Sequence, residues 1–222
     1  FKFEPPREHG HGAVAAIEAM RDGHAKALIC LGGNLPVAMS DTDVSFGAVR
    51  NLDLAVHIAT KLDRSHLLIA KDTWLLPCLG RTELDRQASG AQSVTVEDSM
   101  SMVHASRGSL PPASDELKSE PAIIAGMAKA TLDDPTLDWD GWIADYDRIR
   151  DLIEAVFPQF ERFNERVREP GGFRLYNPAS ERRWATPEGR ARFIAHKGVL
   201  ADPRIDRSDA LILATIRSHD QY

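Results

Sequence analysis

Residues 12–59 read GAVAAIEAMRDGHAKALICLGGNLPVAMSDTDVSFGAVRNLDLAVHIA, and their order decides the fold class. Val14, Ile17 and Met20 recur at helical spacing within Gly12–Arg21, and Gly23 follows as a C-terminal stop. Lys26–Leu31 then carries an unbroken apolar run, Ala27 to Leu31, of the kind found in buried parallel strands. Gly32-Gly33-Asn34 breaks it. Ser40 with Asp43 makes a capping-box pattern before a short helix ending near Arg50, and Leu54–Ala59 reads as a second strand. Helix, strand, glycine turn, helix, strand predicts an α/β fold: an open, largely parallel, Rossmann-like sheet flanked by helices.

Downstream, residues 60–104 form a dense polar and charged block, interrupted by the short apolar pieces 67–70, 74–79 and 94–96. Loops held by scaffold strands carry binding chemistry, so this block predicts a surface for a large polar ligand. Ser119-Glu120-Pro121 opens a helix to about Ala130, with serine at the cap and proline in the first turn. The segment 133–140 is a loop rich in acid and proline. Residues 146–157 form an amphipathic helix with Ile149, Leu152, Ile153 and Val156 on one side. Arg148 and Arg150 interleave with Asp147, Asp151 and Glu154 on what reads as its solvated face. The helical pattern continues through 160–167 to Pro170-Gly171-Gly172, and 173–176, 190–195 and 211–216 read as later strands. A change of character near Gly171 predicts either a small β subdomain or a return of the chain to the sheet.

Composition narrows the function classes. Hydrophobic residues make up 43% and charged residues 27%, ordinary for a soluble globular protein. The formal charge is −6, which leaves no basic field for nucleic acid or anionic lipid. No apolar run approaches the roughly 20 residues of a membrane helix. Cys30 and Cys78 lie far apart and in apolar surroundings, so they read as buried free thiols, and a cytoplasmic location follows. The chain starts at Phe1 and stops at Tyr222 just after an apolar run, the edges expected of a piece of a larger protein.

Gly32, Gly33 and Asn34 stand where a parallel strand meets a helix, the place where open α/β sheets bind ligands. A plain tight turn is the other reading, because the pattern is not GxGxxG. His9 and His11 form an HxH pair without further ligands close by, and His57 reads as a satisfied strand histidine. Glu97, Asp98 and Ser99 follow a strand, and adjacent strand residues point to opposite faces, so they are no catalytic carboxylate pair. They suit hydrogen bonds to ligand amino or hydroxyl groups. No GxSxG elbow frames a nucleophile, which disfavours a Ser–His–Asp hydrolase. The last residues, including Thr215, Arg217, His219 and Gln221, offer donors for phosphate or a heterocycle edge, or form an exposed tail.

Several stretches together resemble the molybdopterin oxidoreductases of the dimethyl-sulfoxide-reductase superfamily, in the formate-dehydrogenase-alpha-subunit-like branch: LICLGGN (28–34), TKLDRSHL (60–67), 75–104, DYDRIRDLIEAVFPQF (145–160), 168–193 and LATIRSHDQY (213–222). The resemblance implies a molybdenum or tungsten atom held between two pterin guanine dinucleotides. It also implies a 4Fe-4S cluster elsewhere in the parent chain. This segment would be the second dinucleotide-binding α/β domain over 1–170, with 171–222 returning to the sheet and starting a C-terminal barrel domain. By resemblance Gly32, Gly33 and Asn34 lie near the dinucleotide, and Thr60 and Lys61 lie where guanosine is recognised. Glu83 and Glu97–Ser99 belong to a polar loop beside it, and Thr215, Arg217, His219 and Gln221 touch the pterin. The implied partners are the remaining domains, a small-molecule substrate (formate), and an electron-transfer partner. The iron–sulfur cysteines and the metal-ligating residue lie outside the segment. The alternative function is a non-catalytic nucleotide-binding or interaction module.

Overall fold

A computed structural model of the protein describes residues 7–193 and residue 209. The chain divides into two units, residues 1–175 and 176–222. The first is mixed α/β, as the order of its elements predicts.

Helix α1 (Ala13–Arg21) leads into β1 (Ala27–Leu31), and α2 (Leu35–Ala38) and α3 (Thr42–Arg50) cross over to β2 (Leu54–Ala59). β3 (Asp72–Pro77) follows after a 3₁₀ turn, Arg64–Leu67. The three strands pair in parallel in the order β1-β2-β3, with Ile29 beside Val56 beside Trp74 and Cys30 beside His57 beside Leu75. Alternation along the strands sends the two sets to opposite faces. On one face Leu28 and Ala55 pack with Ile17 and Met20 of α1 and with Ala48, Val49 and Leu52. On the other, Val56, Ile58 and Leu76 pack with Ile123, Ile124 and Met127 of α4 (Glu120–Thr131).

β4 (Arg86–Gln87) and β5 (Gly90–Ala91) form a minimal hairpin, and β6 (Val94–Glu97), β7 (Met102–Ser106) and β8 (Phe173–Arg174) an antiparallel sheet. Helices α5 (Trp139–Ala144), α6 (Asp147–Val156) and α7 (Phe163–Arg166) complete the unit. Phe163, Val167, Phe173 and Val103 make the second core, and Arg166 lies 3.8 Å over the Phe173 ring. In the second unit, Asn177 caps a 3₁₀ turn, Pro178–Glu181, by accepting from the Ala179 amide at 3.0 Å. Among the described residues no helix is long and apolar enough to cross a membrane, and no barrel closes.

Several local expectations are corrected. β1 is an edge strand rather than a buried one, because β2 is its only partner among the described residues. The cap of α3 is Asp41, whose Oδ1 accepts from the Val44 amide at 3.0 Å, and not Ser40. Removing it in Asp41→Ala is expected to cost about 1 kcal/mol in urea unfolding, the usual worth of an N-cap. α6 does not run on through 160–167: Pro158 ends it, and Arg162 turns left-handed (φ 55°) before α7. Residues 190–193 form no strand, and 194–195 and 211–216 lie outside the described residues.

Arg150 is the largest departure. It reads as part of a solvated charge run, yet it is 5% exposed. Its Nε donates to Asn164 Oδ1 (2.6 Å) and its Nη1 to the Ser93 carbonyl (3.0 Å), while Nη2 pairs with Asp147. Arg150 thereby ties α6 to α7 and to the start of the second sheet.

Candidate functional site

The chain leaving the carboxyl ends of β2 and β3 lines one polar cleft of about 300 Å³, and the turn that ends β1 adjoins Glu120 of its lining. After β1, Gly32 and Gly33 adopt φ of 63° and 73°, a region that glycine enters without strain. The turn is held where it is by the Gly32 amide, which donates to the Ile58 carbonyl at 2.8 Å. A methyl group on Gly32 would stand 3.9 Å from Glu120 Oε1, so this turn lies beside the first residue of α4. After β2, Thr60 lines the cleft, and after β3 come Gly80 and Arg81.

The rest of the lining comes from Glu83 and Asp85, just beyond β3, and from chain further along: Gln92, Val94, residues 106–108 and residues 119–121. Glu83 Oε2 accepts from the Gly80 amide and Oε1 from the Ala113 amide, both at 2.6 Å. These two amides, first Gly80 and then Ala113, hold the Glu83 carboxyl below the usual glutamate range. The N-terminus of α4 is fixed by a buried chain of hydroxyls. Tyr146 donates to Asp85 Oδ2 at 2.6 Å, which leaves its oxygen to accept from Ser119 at 2.7 Å. Ser119 in turn caps the helix at the Ala122 amide. Burial, followed by the hydrogen bond to Asp85, pushes the Tyr146 hydroxyl far above the ordinary tyrosine value. It therefore stays protonated and serves as a fixed donor.

What remains free in the cleft is a small, chemically coherent set. Arg81, Arg107 and Glu120 make no side-chain hydrogen bond or ion pair among the described residues. The first turn of α4 adds its partial positive charge. Guanidinium groups and a helix N-terminus suit phosphate oxygens, and a free carboxylate suits the N–H edge of a purine.

The structure brings Gly32, Thr60 and Glu83 to this end of the sheet, with Gly33 and Asn34 continuing the glycine turn. Asn34 starts α2 without a side-chain cap bond, and Lys61 is exposed next to Thr60. Glu97–Ser99 are not part of the cleft. Val94 lines it, and three further residues of β6 carry the chain about 10 Å away. There Asp98 Oδ1 accepts from the Met100 (2.8 Å) and Met102 (3.0 Å) amides at the hairpin tip, beside His104 and Arg168. Thr215, Arg217, His219 and Gln221 lie outside the described residues. The sequence reading missed Arg81, Arg107, Glu120 and the Asp85–Tyr146–Ser119 chain. Arg81 and Arg107 each adjoin a glycine, which was the available signal; Ser119-Glu120 was read only as a helix start.

His57 is buried on β2, 2% exposed, with its Nε2 hydrogen-bonded to nothing among the described residues, so it is not the satisfied histidine expected. Its ring meets that of His66 edge-on at 5.2 Å, and His66 Nδ1 accepts from the Asp63 amide at 2.8 Å. Burial lowers the His57 pKa from the ordinary 6.5 and His66 adds to this, while Asp63 opposes it. The unfolded chain therefore takes up this proton more readily than the folded one. Stability is complete above the ordinary histidine value and falls as pH drops below 6.5. Urea unfolding at neutral pH and at about pH 5 should show a smaller pH-dependent loss in His57→Leu than in wild type. Equal losses would mean that His57 is not the group responsible. Both cysteines are free thiols, Cys78 buried and Cys30 half-buried. The described residues contain no cluster of three or more groups able to hold a metal ion.

Over all 222 residues the chain is 55% identical to Protein YdeP of Escherichia coli strain K12. The similarity runs along the whole of this chain. The chain is also 44% identical, over 226 aligned positions, to the uncharacterized oxidoreductase Rv2900c of Mycobacterium tuberculosis. The chain covers 29% of YdeP and 28% of the mycobacterial protein, so it spans less than a third of the length of the curated relatives it matches. No protein-family model matches it.

Proposed function

We propose that this chain is the cofactor-binding α/β domain of an oxidoreductase, and that its ligand is a pterin guanine dinucleotide carrying molybdenum or tungsten. The observation that carries the reading is the cleft at the strand ends, where, among the described residues, the uncommitted charged groups are two guanidinium groups and one carboxylate. The oxidoreductase class is supported by the name of the mycobacterial relative, 44% identical across the whole chain.

The residues present fit such a group. Arg81 and Arg107, with the partial positive charge at the start of α4, would take the phosphates. Glu120 would accept from the guanine edge, and the Gly32-Gly33 backbone would let the dinucleotide lie close against the sheet. When bound, the group would supply two-electron chemistry at its metal, with formate oxidation to carbon dioxide as the favoured reaction. The contribution of this chain is positional. The Glu83 ties to Gly80 and Ala113 and the Asp85–Tyr146–Ser119 chain hold both cleft walls in place before the ligand arrives, so little ordering is left to oppose binding.

The test is metal analysis of the full-length protein together with guanine nucleotide released on denaturation, for wild type and for Arg81→Ala/Arg107→Ala. Stoichiometric molybdenum or tungsten with guanine nucleotide is expected in wild type. A loss of nucleotide by about tenfold or more is expected in the double variant, because two charge-assisted contacts are removed. Nucleotide without metal would support the non-catalytic nucleotide-binding module instead. Absence of both would overturn the proposal.

A further inference from the structure

The two edges of the parallel sheet are not alike. Asp72 donates to the Asp53 carbonyl and Cys78 to the Ala59 carbonyl, so the even-numbered residues of β3 face β2 and the odd-numbered ones face outward. Pro77 therefore stands on the outer edge, where it withholds an N–H from any further strand. β1 has no such device. Leu54 donates to the Lys26 carbonyl and Gly32 to the Ile58 carbonyl, so the even-numbered residues of β1 face β2. The amides and carbonyls of Ala27, Ile29 and Leu31 open onto the free edge, and β1 pairs only with β2 among the described residues.

The side chains of this edge are equally unguarded. ALICL carries no charge and no proline, whereas exposed sheet edges are ordinarily blunted by lysine, proline or a bulge. Ile29 is 53% exposed and Leu31 51%, on the same face as Trp74 at 62%. α4 covers the Ile58–Leu76 part of that face and leaves the Ile29–Trp74 part open. An edge with these properties is built to be continued. Both relatives align with the whole chain and have more than two thirds of their own length outside the alignment, which supplies the polypeptide to continue it.

We propose that the free edge of β1 is the seat of a further β-strand contributed by that outside part of the full-length polypeptide, with apolar side chains covering Ile29 and Leu31. The pairing is main chain to main chain, and the apolar face sets its register.

The experiment is residue-resolved hydrogen exchange on the full-length protein at a concentration where it is monomeric, combined with photo-cross-linking from a benzoylphenylalanine at position 29. The expected result is that the Ile29 and Leu31 amides exchange within about tenfold of Leu28 and Cys30, and that the cross-link lands outside the 222 aligned residues. Exchange of Ile29 and Leu31 about a hundredfold faster than their neighbours would overturn the proposal, because the edge would then be free. Protection that arises only on dimerisation would also overturn it, assigning the edge to a second copy. So would a cross-link falling within the 222 residues.

Discussion

Gly108→Ala is expected to lower the melting temperature by about 6–12 °C. A Cβ at this position would lie 2.0 Å from the Glu83 carbonyl oxygen, 2.4 Å from the Glu83 carbonyl carbon and 2.5 Å from that of Thr82. All three atoms are backbone, so no side chain can swing aside. One of the two segments must shift, and they are joined by Ser109 and Leu110 amides donating to the Thr82 carbonyl (both 3.0 Å) and the Leu84 amide donating to the Leu110 carbonyl (2.8 Å). Overpacking of this kind costs about 1–3 kcal/mol, and each strained main-chain hydrogen bond about 1 more. A total near 3 kcal/mol corresponds to the stated shift in a domain of this size. Thermal unfolding followed by circular dichroism measures it. A variant melting within about 2 °C of wild type would show that the contact relaxes at no cost.

Arg150→Ala should cost about 3 kcal/mol, the range found when one partner of a buried charge network is removed. Three groups lose a donor at once: Asn164 Oδ1, the Ser93 carbonyl and one Asp147 oxygen. Burial acts to raise the Asp147 carboxyl, but hydrogen bonds from Arg168 and Arg150 outweigh it and hold it below the usual aspartate range. In the variant Arg168 remains, so Asp147 keeps one partner and the chain still folds. Arg150→Lys should recover only part of the loss, since an ammonium cannot supply a planar fork to three acceptors. Urea denaturation of wild type, Arg150→Ala and Arg150→Lys decides the matter. Equal midpoints for all three would mean that the network contributes nothing net.

Arg150 also shows why some of this protein was illegible in its sequence. Its helix was correctly placed, because Ile149, Leu152, Ile153 and Val156 recur at the helical period. Which charged residue of that helix lies inside depends on α7 and on the chain entering β6, 14 and 57 positions away. The same division holds at the cleft. Gly32 and Gly33 could be marked as a turn at a strand end because they end an apolar run, a feature of adjacent residues. Arg107 and Glu120 could not, because only long-range closure brings them beside Thr60 and Arg81. Glu83 stands in the polar loop after β3, as the resemblance implies, and the two main-chain amides its carboxylate binds depend on the fold around it.

Local order was thus written in neighbouring residues. The periods of 3.6 and 2, the glycine turn and the Ser119 cap each act within a few positions, and they gave an α/β unit with parallel strands. Tertiary structure decided exposure and partnership: that β1 pairs only with β2 among the described residues, that Arg150 is buried, and that Glu97–Ser99 stand apart from the cleft. The physical reason is that burial and hydrogen bonding are satisfied across the whole fold, by groups whose separation along the chain carries no local signal.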